Sequence, residues 1–335
     1  MKELILDPRA RLRTLVGVAG IAAVAAALLS GIIVGAVNVS LPEIWQTLAG
    51  QSGGESYQII HNIRIPRVLA GAFTGMNLAL AGCILQGILR NPLADPGIIG
   101  VSAGAGLAAM LVMILWPVYS SLVPLAAFAG AILALAVVFL LAWERGVHPL
   151  RLILAGVAVA AFFGGVMSAL MVFHSDKVQG TVNWMAGGLQ GRSWDHVRMI
   201  LPYSLIGLAG TAIGCRYLNM LQLGDEVARG LGVRVEAARV LLVLLAALLA
   251  ASAVSVAGLL GFVGLVVPHI TRMMVGSDFE YLLPCSALLG AALVVAADTV
   301  ARTVFSPVEV PVGIFMAFLG APFFLYLLRK RGMRT

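Results

Sequence analysis

RIPRVLAGAFTGMNLALAGCILQGILRNPLADPGIIGVSAGAG, residues Arg64 to Gly106, decides how this chain folds. Two arginines precede an apolar run of membrane length, a double-proline break follows it, and a second apolar run starts at once. A helix survives in lipid because its backbone hydrogen bonds are internal, whereas a break must lie in water or inside protein. Asn91 and Asp95 are the side chains placed to satisfy the amides that the break frees. The stretch predicts two membrane helices joined by a polar turn.

The rest of the chain agrees. Of its 335 residues 61% are hydrophobic and 11% charged, too little polar surface to cover a soluble globule of this size. A membrane span needs roughly 20 apolar residues. Such runs fall near 15–37, 66–89, 96–116, 122–143, 151–173, 197–217, 239–258, 260–275, 281–304 and 311–328. The prediction is an all-α polytopic membrane protein with about ten transmembrane helices. Runs such as AARVLLVLLAALLAASAV (237–254) lack the polar/apolar alternation of a membrane β-barrel. No long linker or soluble insertion interrupts the spans, so residues 1–335 read as one membrane domain.

Ten spans put both termini on one side. Of the 22 lysines and arginines, sixteen fall on the side of the termini; Arg64, Arg67, Lys177, Arg192, Arg198 and Arg302 fall on the other. By the positive-inside rule both termini are cytoplasmic. That orientation and anionic headgroups account for the net charge of +7 without a nucleic-acid partner. The apolar stretch Leu15–Val37 exceeds the core of a cleavable leader and reads as a span. Cys83, Cys215 and Cys285 lie in or beside spans without metal-ligand spacing and read as packing residues, so no metal site is expected. Glycines four apart (Gly31 and Gly35, Gly71 and Gly75, Gly100 and Gly104) predict close helix contacts.

Three polar segments exceed what a turn needs. Asn38–Asn62 contains SLPEIWQTL, a short surface helix capped by Ser40 with Glu43 three residues on. His174–Asp195, with Trp184 and Trp194, suits a short helix at the outer interface. The third, Asn219–Glu236, is NMLQLGDEVARGLGVRVE: Gly224 ends one stretch, Asp225 and Glu226 open a helical turn, and Gly230 and Gly232 break it. Two short helices at an angle are expected there, either a connector or a docking knob for a soluble partner. A nucleotide-binding loop requires a lysine after glycine, and Lys2, Lys177 and Lys330 are the only lysines, none after a glycine. Any nucleotide energy must therefore come from another subunit.

IRIPR (63–67), NPLADPG (91–97), LAGV (154–157), LGDEVARGLG (223–232), GFVGLVVPHITR (261–272) and PVGIFMAFLGAPFF (311–324) occur in this order. Together they resemble the permease subunits of type II ABC importers, the family for vitamin B12, haem and iron-siderophores. The resemblance implies a homodimer in the bacterial inner membrane, two cytoplasmic ATPases that hold ATP and magnesium, and a periplasmic or lipid-anchored substrate-binding protein. The chain itself would bind no cofactor and catalyse no covalent step.

The resemblance also implies residue roles. Arg64, Arg67 and Arg302 match the arginines that receive acidic residues of the binding protein. Asn91 and Leu93 lie in the break that resembles one cytoplasmic gate, and His148 and Pro149 occupy the position of the second. Leu223, Gly224, Asp225, Glu226, Val227, Ala228, Arg229, Gly230, Leu231 and Gly232 form the segment that couples to the ATPase. From position in the spans, Arg64 and Arg302 are expected to face water. Asp298 is expected to pair with Arg302, four residues on along one helix face. His269 reads as a hydrogen-bonding cap at a helix end. The rival class is an ion-gradient-coupled secondary transporter, which places ionisable residues and broken helices at the bilayer midplane; Asp298 is the only plausible acid in a span.

Overall fold

The computed structural model describes residues 8–35, 40–48, 55–144, 148–306 and 308–332. Residues 38–39 and 49–54 of the predicted outer segment, residues 36–37 at the end of the first predicted span, and the basic residues Lys2, Arg145 and Arg334 used for orientation lie outside them.

In chain order the helices are α1 (Pro8–Ile33), α2 (Leu41–Leu48), α3 (Glu55–Gln58), α4 (Ile65–Ile88), α5 (Val101–Leu115), α6 (Val123–Ala142) and α7 (Pro149–Phe173). They continue with α8 (Val178–Met185), α9 (Trp194–Gln222), α10 (Asp225–Gly230), α11 (Val235–Ala257), α12 (Val263–Val275), α13 (Phe279–Ala301) and α14 (Val312–Gly332). The expected ten spans correspond to α1, α4–α7, α9 and α11–α14. Among the described residues, seven helices are long and apolar enough to cross a membrane, counting the continuous Ser56–Ile88 as one; three apolar helices are shorter.

α5 and α12, at 15 and 13 residues, are shorter than the runs that predicted them. At 1.5 Å per residue they reach about 20 Å, less than the roughly 30 Å of hydrocarbon. Each follows a bend with left-handed backbone, Gly100 (φ 77°) before α5 and Phe262 (φ 67°) before α12. Non-helical backbone at such depth is tolerated where protein encloses it. Here Gly258, at the start of the second bend, lies against the carbonyl of Trp184, and Gly188 N–H donates to Ala257 O (2.8 Å).

α4 is the central helix: it packs on α9, α11, α12 and α13 and is buried over most of its length. Its small residues permit this. A Cβ on Gly75 would lie 2.1 Å from the carbonyl oxygen of Gly290 on α13, and one on Gly82 only 1.9 Å from that of Gly264 on α12. Gly104 meets Gly130 on α6 in the same way (2.3 Å). Of the predicted glycine pairs, Gly75 and Gly104 thus make backbone-to-backbone contacts, while Gly31, Gly35 and Gly71 face side chains. Gly75→Ala is therefore expected to push α4 from α13 and cost about 1–3 kcal/mol, read as a lower unfolding temperature in detergent. Gly17→Ala, at a site with nothing within 4 Å, is the control expected to show no loss.

The short helices expected in the first two polar segments are both present. Ser40 N–H and Oγ donate to the Glu43 carboxylate at 2.8 and 2.7 Å, closing the cap of α2. These bonds hold the Glu43 carboxyl below the usual range. α8 is the short helix expected between His174 and Asp195, with Trp184 buried beneath it. Cys83 and Cys285 are buried and Cys215 half-buried.

Candidate functional site

The features of interest sit at the two ends of α4. At the Asn91 end, the helix closes and the chain turns through a single turn of 3-10 helix, Pro96–Ile99. Asn91 Oδ1 accepts from Leu93 N–H (2.9 Å) and Asp95 Oδ1 from Gly97 N–H (2.8 Å), the two roles read from the sequence. Gln86 locks the turn from inside α4: its Nε2 donates to Gly264 O (3.2 Å) and Ala94 O (3.4 Å), while Arg272 Nη1 donates to its Oε1 (3.0 Å). On the other flank, a Cβ on Gly156 of α7 would meet Ile98 O at 2.1 Å. The break is thus clasped between α12 and α7, with Leu93 exposed.

His148 precedes α7 as an exposed N-cap that makes no side-chain cap bond, and Pro149 starts the helix with a φ already suited to it. Gly156 lies eight residues on, about 12 Å along α7. The structure therefore brings the break against α7 and leaves His148 at that helix's free end.

The segment after α9 differs from the expectation. One short helix is present, α10, and the second expected helix is the start of α11. Gly224 (φ 111°) and Gly232 (φ 84°) take backbone conformations that side chains disfavour, which sets α10 at an angle between two long helices. Ala228 is buried beneath α10, while Leu223, Val227 and Leu231 are exposed (61%, 50% and 58%). Asp225 turns inward: Arg239 donates to it at 3.0 Å and Arg90 also pairs with it. Burial pushes the Asp225 carboxyl up, but the two arginines more than offset this and hold it low. Arg229 pairs with Glu236 (3.3 Å).

At the Arg64 end, the expected exposure of the arginines is not found. Arg64, Arg67 and Arg302 are 4%, 7% and 5% exposed. α1 ends at Ile33 and leaves carbonyls of its last turn without helical partners, a need basic side chains can meet. Arg64 Nη1 donates to Ile32 O (2.7 Å) and Ile33 O (2.9 Å), and Arg302 Nη2 donates to Gly31 O. Asp298 pairs with Arg67, not with Arg302: Arg67 Nε and Nη2 reach its two oxygens at 2.8 and 2.9 Å. The guanidinium of Arg302 is drawn to α1, whereas Arg67 approaches Asp298 from the neighbouring α4. Arg67 Nη1 also bonds Glu309 (2.8 Å), whose backbone carbonyl accepts from Gln190. His269 is buried inside α12, away from its ends.

Sequence reasoning missed Arg90 and Glu309. Arg90 was legible only as a charge after an apolar run, and Glu309 only as an acid in a loop. Their partners, Asp225 and Arg67, are 135 and 242 positions away.

A central helix in close glycine contact with its neighbours, a clasped break at one end and an exposed apolar knob beside it define a polytopic membrane protein. Comparison with known proteins makes this specific. The model of the FecCD transport family matches residues 22–330, and the chain belongs to that family. It is 39% identical over 299 residues to the Fe(3+)-citrate import system permease protein YfmE of Bacillus subtilis, covering 88% of this chain and 89% of that one. It is 46% identical over 278 residues to the cobalamin import system permease protein BtuC of Halobacterium salinarum (83% and 75%). With the hemin transport system permease protein HmuU of Yersinia pestis it shares 40% over 315 residues (90% and 91%). A solved "inward-facing conformation" of a "metal-chelate type ABC transporter" superposes with a TM-score of 0.81 at 32% identity, covering 95% and 97% of the two chains.

Proposed function

We propose that this chain is the membrane-spanning permease subunit of a binding-protein-dependent ABC importer of the bacterial inner membrane, carrying an iron chelate, haem or cobalamin-type nutrient. It works as a homodimer with both termini in the cytoplasm, two ATPase subunits that bind ATP and magnesium, and a substrate-binding protein on the opposite side. The observation that carries this reading is the exposed Leu223/Val227/Leu231 face beside the clasped break, in a chain with no phosphate-binding lysine. ATP-driven closure of the partner pushes on residues 223–232. The gate residues Asn91, Leu93, His148 and Pro149 then rearrange around a pathway between the protomers, broadly lined and weakly binding so that a bulky substrate is released.

Arg64, Arg67 and Arg302 act at the opposite mouth. Arg67 pairs with Asp298 and Glu309, Arg302 lies within electrostatic reach of both carboxylates and of Arg64, and Arg192 within reach of Arg67; four arginines against two carboxylates leave a positive field that draws acidic residues of the binding protein. The secondary-transporter reading gains nothing from the structure, because Asp298 is held on two sides by Arg67.

Proteoliposomes offered ferric citrate, a ferric hydroxamate, haemin and cobalamin in turn test the proposal. Vesicles holding this chain alone are expected to take up none of them under a proton or sodium gradient. With ATPase and binding protein added, one substrate is taken up, and only with ATP. Gradient-driven uptake by the chain alone would refute the importer reading.

A further inference from the structure

We propose that Arg90 is the positioning residue that carries movement of the α10 segment to the Asn91–Gly97 break. This rests on the reading of α10 as the ATPase-docking element and of the break as a gate.

The end of α4 is closed by two reverse bonds, Asn91 N–H to Gln86 O (3.2 Å) and Arg90 N–H to Gly87 O (3.4 Å). That pattern places Arg90 at the left-handed position after a helix, where glycine is the unstrained residue. Arg90 is left-handed here (φ 48°), one of two such non-glycine residues among those described. An L side chain in this conformation is strained, and strain of this kind persists where the side chain has a task.

The task is visible in its partners. Arg90 Nε donates to Leu221 O (2.9 Å) in the last turn of α9, and Nη2 pairs with Asp225, the first residue of α10. Asp225 in turn bonds the buried Arg239 of α11. One guanidinium thus joins the end of α4 to the end of α9 and the start of α10. The next residue in the chain is Asn91, whose carbonyl accepts from Ala94 N–H (3.1 Å) and whose side chain holds Leu93. A lone exposed ion pair contributes little to stability. Here the consequence is positional: while these bonds hold, a shift of α10 against α9 and α11 moves the residue on which the break turns.

Arg90→Gly separates this role from a structural one, because glycine relieves the strain and preserves the helix end. The readout needs no substrate. In a Cys215→Ser background, Leu93→Cys is labelled by a membrane-impermeant maleimide from the cytoplasmic side, in the assembled complex with its ATPase, without nucleotide and trapped with ATP and vanadate. With Arg90 present, labelling is expected to differ between the two states by about 5-fold or more. With Arg90→Gly the difference collapses toward none while the ATPase still co-purifies and hydrolyses ATP; Arg90→Lys, which keeps the charge, retains part of it. Full nucleotide dependence in Arg90→Gly would overturn the proposal, as would loss of the ATPase from that variant, which would make Arg90 a docking residue. No nucleotide dependence even with Arg90 present would instead refute the gate reading on which the proposal stands.

Discussion

Asp298→Ala is expected to remove about 3–5 kcal/mol of stability, the usual cost of leaving a buried charge without its partner. Arg67 is buried and spends two of its donors on Asp298; only Glu309, partly exposed, would remain. The loss should appear as a lower unfolding temperature and a smaller folded fraction in detergent. Replacing both partners by apolar residues of similar volume, Arg67→Met with Asp298→Leu, is expected to recover most of it, since a buried pair exchanged whole for packing is often neutral. A stable single variant would mean that the pair is not buried in the assembled transporter. The folded double variant also reports on docking. If Arg67 receives a carboxylate of the binding protein, affinity for that protein falls and its salt dependence weakens. Unchanged affinity would restrict Arg67 to holding Asp298. Arg64→Glu carries a parallel test, since it removes the cap of α1 and reverses a charge at the same mouth.

Val227→Asp is expected to weaken ATPase binding by about 2 kcal/mol or more, the size of a central interface contact, which is roughly 30-fold in affinity. Val227 is half-exposed on α10, so the bundle loses no packing and should unfold at its normal temperature. The check is co-purification of the ATPase from membranes, with circular dichroism of the variant alone. Ala228→Asp, one residue on, separates the two faces of α10: Ala228 is buried, and a carboxylate there should unfold the segment itself. Retained ATPase with Val227→Asp would reduce α10 to a connector.

Much of the fold was legible because lipid leaves few choices. Ten apolar runs became ten helices, the capped surface helix formed on Ser40 and Glu43, and Asn91 and Asp95 bond the amides that the double-proline break frees. The departures share one cause. The sequence shows a helix's neighbours along the chain but not across the bundle. Asp298 with Arg302 four residues on looked like a same-face pair, yet α1 supplied carbonyls for Arg302 and α4 supplied Arg67 for Asp298. Residues 223–236 contained glycines enough for two short helices. α11, however, began at Val235 and absorbed the second.

What the sequence by itself determined is therefore local or set by the solvent: the number of spans, the place of the break, the polar segments, and the lack of a nucleotide-binding lysine. Period, length and capping act over a few residues, and the bilayer penalises every unsatisfied amide alike. Which charge meets which was decided only by the tertiary structure. Arg67 and Asp298 lie 231 positions apart, and Arg90 and Asp225 lie 135 apart. The first pair joins α4 to α13, where Gly75 lets the two helices approach to backbone contact and so sets which of their side chains face each other; the second joins the end of α4 to the start of α10, which the fold brings together.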